Sequence, residues 1–305
     1  MFYKDDCQVY ISLIDALKKI NEESVILQEQ LSCNRRKKNF CKYLTHFDLK
    51  RLIGRLQIYL YERKNKKNRQ IDLSLNSKPN YFSNHKIAIY TGIYGAYDNI
   101  CEPLFVPDNC DFIIFTDQQI DSNSAWKKRN VQDELFNNMN NLQKNRYVKM
   151  NPHKILEDYD YSVYIDGAVF AVADFTEFIN KIGKYGFSMH MHSSRNCVYD
   201  ELNAAKVYKK IDNEMLNTYY NVFKAQKMPF GYGMLECGVI ARKHKNQLCI
   251  DIMEQWWDYY CRYGGRDQLW LPLVLFKNKI VVQDVSQLGR DIYHNYAFRI
   301  LQHNS

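Results

Sequence analysis

Ser162-Val163-Tyr164-Ile165-Asp166-Gly167 is the stretch on which the fold turns. A short run of β-favouring residues stops abruptly at an Asp-Gly turn, the pattern of a buried strand that ends at a loop. The same pattern recurs on both sides. Ile87-Ala88-Ile89-Tyr90-Thr91 ends at Gly92, and Phe112-Ile113-Ile114-Phe115-Thr116 ends at Asp117. Gly186–Met191 and Cys237–Ala241 are further candidate strands. Between them the spacing predicts helices over 132–145, 174–182, 199–226, 246–262 and 267–277. Strands alternating with helices imply an α/β domain with a mainly parallel sheet. Such sheets bind ligands at the carboxyl ends of their strands. Thr91, Asp98, Asp117, Asp166, His190 and His192 all collect at those ends.

Several familiar chemistries are missing from this frame. No Gly-x-Gly-x-x-Gly follows the first strand and no Gly-Lys-Ser/Thr phosphate loop occurs. Gly-x-Ser-x-Gly and His-Glu-x-x-His are absent too, which argues against serine hydrolases and zinc proteases. Nine cysteines without a Cys-x-x-Cys pair read as reduced thiols, not as a disulfide frame or a zinc site. The first residues lack a secretory pattern, and the longest apolar stretches fall short of the ~18 residues a spanning helix needs. The expectation is a cytoplasmic chain.

The charge is uneven. Of the net +8, thirteen Lys and Arg against Asp48 and Glu62 place +11 on residues 33–69, leaving −3 for the remainder. Leu49, Leu52, Ile53, Leu56, Tyr59 and Leu60 form an apolar stripe at helical spacing within that segment, and Leu13, Ile14, Leu17 and Ile20 form another upstream. Residues 1–82 are thus expected to be a basic helical region ending in a polar linker over 65–85, with a catalytic domain over 83–305. An anionic membrane surface is the expected partner, each basic side chain contributing ~1 kcal/mol. Without a base-reading motif, nucleic acid is disfavoured.

Six blocks in order resemble one family. They are Tyr90-Thr91-Gly92 through Tyr97-Asp98; Phe115-Thr116-Asp117; Arg146, Lys149, His153 and Ile165-Asp166-Gly167; His192, Arg195, Tyr199 and Glu201; Leu235-Glu236 through Arg242; and Arg266-Asp267-Gln268-Leu269. Together they resemble the plant turgor-defect and mucilage-related glycosyltransferase-like domain, which has bacterial members in surface-polysaccharide clusters. The resemblance spans roughly 86–305. It implies a GT-A-like, Rossmann-type mixed sheet flanked by helices and a nucleotide-sugar donor, a UDP-sugar being favoured.

The resemblance also implies site roles. Donor binding would fall to Thr91, Tyr97, Asp98, Asp117, Arg146, Lys149, His153, Asp166, Gly167, His192 and Arg195. A central Asp-x-Asp element usually holds a metal in this fold, but here the stretch reads Asp166-Gly167-Ala168, and alanine ligates nothing. The expectation is a weakly held Mn²⁺ or Mg²⁺ on Asp166 with His192 or His303 and the diphosphate oxygens. The alternative is that Lys149, Arg146 or Arg195 neutralises the leaving diphosphate directly. Transfer also needs a carboxylate near the reacting centre. Asp267 is the first candidate, with a helix N-cap as its bland alternative, and Glu236 is the second. The aromatic residues Trp256, Trp257, Tyr259, Tyr260 and Tyr263 read as a core face of one helix in preference to a sugar platform.

The leading expectation is therefore a glycosyltransferase that builds a capsule, O-antigen or glycolipid and docks on the inner face of the plasma membrane. A lipid-linked, ceramidase-like hydrolase and a non-catalytic nucleotide-sugar-binding protein are the alternatives.

Overall fold

A computed structural model of the chain describes residues 86–301 except 133, 290 and 294, together with isolated positions 16, 20, 56 and 60. Apart from Ile20, Leu56 and Leu60, the apolar stripes lie outside the described residues, as do the linker, the boundary near 82 and His303.

All five expected strands form, as Ile87–Ile93 (β1), Cys110–Thr116 (β2), Tyr161–Ile165 (β4), Phe187–Met191 (β6) and Leu235–Lys243 (β7). Trp126–Arg129 (β3) joins them in one sheet of order β3-β2-β1-β4-β7-β6. β1 pairs parallel with β2 and β4, and β2 pairs parallel with β3. β7 runs antiparallel between β4 and β6, so the sheet is mixed. Val169–Ala171 (β5) and Phe298–Ile300 (β8) make a small antiparallel pair beside it. This is the GT-A-like, Rossmann-type architecture that the resemblance implied.

Alternation along the strands builds a core on each face. Ala88, Tyr90, Ile113, Phe115, Tyr164, Met189 and Ile240 face one core. Ile87, Ile89, Phe112, Ile114, Val163, Ile165 and Val239 face the other. Every residue of β1 is buried, as expected of a strand covered on both faces.

The helices depart from the expectation at their ends. The stretch over 132–145 is two helices, Glu134–Asn137 (α1) and Asn141–Met150 (α2). A capping box divides them: Asn140 Oδ1 accepts the Gln143 N–H, and Gln143 Oε1 accepts the Asn140 N–H. Pro152–Ile155 (α3) is a single turn, and 174–182 closes only as a 3-10 segment, Thr176–Lys181. The stretch over 199–226 splits into Val198–Val207 (α4) and Asn213–Ala225 (α5). There Lys209 turns to a φ of 56°, and Asp212 caps the new helix by accepting the Met215 N–H. Gln247–Tyr263 (α6) and Asp267–Lys277 (α7) follow the pattern closely. Trp256 and Tyr260 of α6 are buried, with Trp257, Tyr259 and Tyr263 packed against the same core, so the aromatic run is a core face.

Candidate active site

In the order β3-β2-β1-β4 the chain leaves β1 towards one edge and crosses to β4 on the other side. A crevice therefore opens outside the carboxyl ends of β1 and β4, where connections diverge. A small depression lies there, lined by Thr91, Ile93, Ile114, Trp126, Ile165, Asp166 and Gly167 among others. Thr91 Oγ1 is buried in it without a hydrogen-bonding partner among the described residues. Gly167 is required by its surroundings. A Cβ at that position would stand 2.6 Å from Asp98 Oδ2, so the missing side chain lets the Asp98 carboxylate press against the turn.

Asp166 is fixed from three sides. Its N–H donates to the Gly238 carbonyl at 2.9 Å, and its own carbonyl accepts the Val169 N–H at 2.8 Å. Tyr164, two residues back on the same strand face, donates its hydroxyl to Asp166 Oδ1 at 2.6 Å. Lys149 Nζ lies 3.5 Å from the same oxygen.

Lys149 and Arg146 are three apart on α2 and so share a helix face. Both reach Asp267, the first residue of α7: Lys149 Nζ lies 2.8 Å from Oδ2 and Arg146 Nε lies 3.2 Å from Oδ1. The Lys149 side chain is 2% exposed and that of Asp267 8%, whereas Arg146 at 20% and Asp166 at 34% are partly exposed. Burial alone would raise the Asp267 carboxyl. Arg146 and then Lys149 overcome that effect and hold it well below the usual carboxylate range. Burial works against the Lys149 charge too, but Asp166 and Asp267 raise its pKa above the ordinary value. The N-cap of α7 is Arg266, so Asp267 is an ion-pair residue and not the cap.

Arg242 of β7 anchors this group from below. It is fully buried and donates from Nη2 to the Lys149 carbonyl and from Nη1 to Tyr90 Oη, both at 2.7 Å. The carbonyls of a helix's last turn have no partner within the helix. Arg242 supplies one for α2 and so fixes where Lys149 stands.

A second group of charges gathers around Glu201. Buried Glu201 of α4 takes a hydrogen bond from Arg195 and a 2.9 Å ion pair from Arg266. His192 Nδ1 accepts the backbone N–H groups of Ser194 and Arg195, while Nε2 lies 3.1 Å from Arg195 Nη2 and 3.6 Å from Glu201 Oε2. Burial and then the two arginines depress His192 to about 3. Glu236, near the start of β7, feels Glu201, Arg195, Arg266 and Asp166. Burial first, and Glu201 second, push it up to about 7. The Asp166 charge is felt by both Lys149 and Glu236.

Other expected residues stand apart from these groups. His153 Nε2 lies 3.5 Å from Glu254 of α6 and makes its contacts there. Asp117 accepts the Gly95 N–H with both carboxylate oxygens and so holds the loop after β1. Tyr97 is exposed on that loop. His190 is buried against Phe178, with Nε2 3.3 Å from Asn295 Nδ2. Tyr164, Arg242 and Arg266 were given no role from the sequence. The strand period places Tyr164 beside Asp166, but a buried arginine on β7 carries no local signal.

The expected metal set does not assemble here. Among the described residues no three His, Cys, Asp or Glu side chains gather to hold a metal ion. Both ring nitrogens of His192 are engaged, Asp166 Oδ1 is taken by Tyr164 and Lys149, and His303 lies outside the described residues. The donor set present does not fit a divalent ion.

A family model, TOD1/MUCI70 glycosyltransferase-like domain, matches residues 58–303. The chain belongs to the TOD1/MUCI70 family. The domain it shares with that family is glycosyltransferase-like. No curated protein matches the sequence. Among solved structures the TOD1/MUCI70 chain is similar to the bifunctional glycosyltransferase WbbM in its apo form. The TM-score is 0.40 at 10% identity, covering 65% of this chain and 38% of that one. It is also similar to the galactosyltransferase LgtC in complex with donor and acceptor sugar analogues, with a TM-score of 0.37 at 11% identity, covering 62% and 70%. This chain therefore spans well under half the length of WbbM.

Proposed function

We propose that the enzyme transfers a sugar from a nucleoside-diphosphate sugar, a UDP-sugar by preference, to a hydroxyl of a surface polysaccharide, capsule or O-antigen in type, or of a glycolipid. The observation that carries the donor end is the buried Thr91 Oγ1, without a hydrogen-bonding partner among the described residues, beside Asp166 at the strand ends. Buried polar groups in folded proteins are satisfied, and one left open at a strand-end cleft is suited to a ligand hydroxyl or base edge.

Glu236 supports the acceptor end. A carboxylate with a pKa near 7 accepts a proton from an attacking hydroxyl more readily than one at the ordinary value. Phe230, 74% exposed, stacks on buried Tyr199 with ring centroids 4.3 Å apart and leaves its other face open. Its loop is tied to the His192–Asn196 segment by the bonds Gly233 N–H to Asn196 carbonyl and His192 N–H to Met234 carbonyl. An exposed aromatic face of this kind suits a sugar ring.

The +11 of residues 33–69 supports docking on an anionic membrane surface, the inner face of the plasma membrane for a cytoplasmic enzyme. No helix among the described residues is long and apolar enough to cross a membrane. The test of the reading is nucleoside diphosphate release from a panel of nucleotide sugars, with candidate lipid-linked and oligosaccharide acceptors. Acceptor-dependent release supports it, and silence across the panel with folded protein overturns it.

A further inference from the structure

Two carboxylates and two cations meet at the base of the crevice. Asp166 and Asp267 carry two negative charges, and Lys149 and Arg146 carry two positive ones, each within 3.5 Å of a carboxylate oxygen. The group is neutral as folded. A divalent ion arriving at Asp166 would meet an ammonium 3.5 Å from Oδ1 and compete with the Tyr164 hydroxyl for that oxygen. Two like charges so close repel strongly where the dielectric is low. Ala168, buried two residues further on, offers no ligand in compensation.

We propose that this enzyme transfers its sugar without a divalent cation, the fixed charges of Lys149 and Arg146 standing where a metal's charge would stand. The inference rests on the glycosyltransferase reading and deepens it. In the step, the acceptor oxygen forms a bond to the anomeric carbon while the bond from that carbon to the diphosphate oxygen breaks. The electron pair leaves with the nucleoside diphosphate, which gains one negative charge, and the acceptor proton passes to Glu236. Arg146, partly exposed and paired with Asp267, is the cation assigned to meet the departing charge. Lys149 touches no substrate. It is a positioning residue that holds Asp166 and Asp267 in place, leaving Asp166 Oδ2 to accept a hydroxyl of the donor.

Binding of UDP to the full chain, with GDP and ADP as parallel probes, is measured by titration calorimetry in EDTA and in Mn²⁺. Mn²⁺ binding to the chain alone is followed by electron paramagnetic resonance. The expected result is nucleotide affinity equal in the two buffers within about twofold, and no ordered Mn²⁺ signal. Ala168→Asp adds a carboxylate at the empty position and is expected to create an Mn²⁺ signal and an EDTA-sensitive affinity. Lys149→Met, which removes the internal cation, is expected to lose affinity in EDTA and to regain part of it with Mn²⁺. Should Lys149→Met fail to fold, the wild-type and Ala168→Asp measurements still decide. Nucleotide binding by the wild type that requires Mn²⁺ would overturn the proposal, as would an Mn²⁺ signal lost in Asp98→Asn or Asp166→Asn. If no nucleotide binds in either buffer, the donor reading falls and this inference falls with it.

Discussion

The Lys149 ammonium lies 2.8 Å from the Asp267 carboxylate, and neither side chain is more than marginally exposed. Isolated burial of either charge would be costly, so each is tolerated only because of the other. This relationship shows how Asp267 is held. Its carboxylate is committed to two cations and sets the position of the site's charges, while Glu236 is left as the group whose proton affinity suits transfer at neutral pH.

Asp267→Asn should therefore destabilise the fold by about 3 kcal/mol, since it leaves Lys149 and Arg146 with one carboxylate fewer. Urea unfolding measures this directly. The paired replacement Lys149→Met with Asp267→Leu should recover much of that stability, because an apolar pair of similar volume needs no compensation. Turnover should be absent in both. A single Asp267→Asn variant with unchanged stability would show the carboxylate to be free, and catalysis would return to it.

The strands were legible where burial is on both faces, because β1, β2 and β4 then read as continuous apolar runs ending at turns. β3 was not, since Trp126-Lys127-Lys128-Arg129 is an edge strand whose exposed lysines hide its register. Helix ends were misplaced at Asn140 and Lys209, where a cap and a positive φ interrupt otherwise helical periodicity. Of the site, Asp166, Lys149, Arg146, Glu236 and Asp267 were each visible as residues in ordered blocks. What no spacing could give is which carboxylate meets which cation. That depends on α7 converging on α2 and the end of β4, which places Asp267 beside residues over a hundred positions earlier.

Arg242→Met should cost stability without removing any charge partner. The Lys149 carbonyl and the Tyr90 hydroxyl would each lose a donor inside the core, a loss of about 2 kcal/mol. Because Lys149 is then less firmly placed, kcat should fall as well. Tyr90→Phe removes only the weaker partner and should cost about 1 kcal/mol. If Arg242→Met matched wild type in thermal unfolding, the anchoring role would be refuted.

Glu236 makes a prediction in pH. Its folded-state pKa of about 7 lies above the ordinary 4.5, so the folded chain holds this proton more tightly than the unfolded one. Stability should then decline as pH rises from about 4.5 through 7 by this group's contribution, and Glu236→Gln should remove that part of the slope. The rate should move the opposite way. Transfer needs the ionised carboxylate, so kcat/KM should rise through an apparent pKa near 7 and be low and flat in Glu236→Gln. A variant that keeps the rising limb would assign the proton acceptor elsewhere.

Phe230→Ala separates acceptor from donor. The ring is exposed on one face, so its loss should hardly change thermal stability. If a sugar rests on it, the acceptor KM should rise about fivefold, an interaction of about 1 kcal/mol, with donor KM unchanged. Equal effects on both substrates would instead indicate a collapsed loop between Met228 and Met234.

The basic segment yields the last prediction. Residues 33–69 combine +11 with an apolar stripe at helical spacing, the pairing of charge and apolar face that suits the boundary between anionic headgroups and acyl chains. The full chain should sediment with phosphatidylserine-containing vesicles at low salt, fail to do so with neutral ones, and dissociate as the Debye length shrinks to ~3 Å at 1 M salt. Replacing Arg35, Arg36, Lys37 and Lys38 with Gln should weaken binding by ~1 kcal/mol for each charge lost. Since the family match runs from residue 58, these four positions lie outside it and donor binding should be unaffected. If the chain ignores anionic vesicles at low salt, membrane docking is wrong. The stripe would then be expected to pack on protein, and the Gln variant should show its effect in solubility or self-association instead.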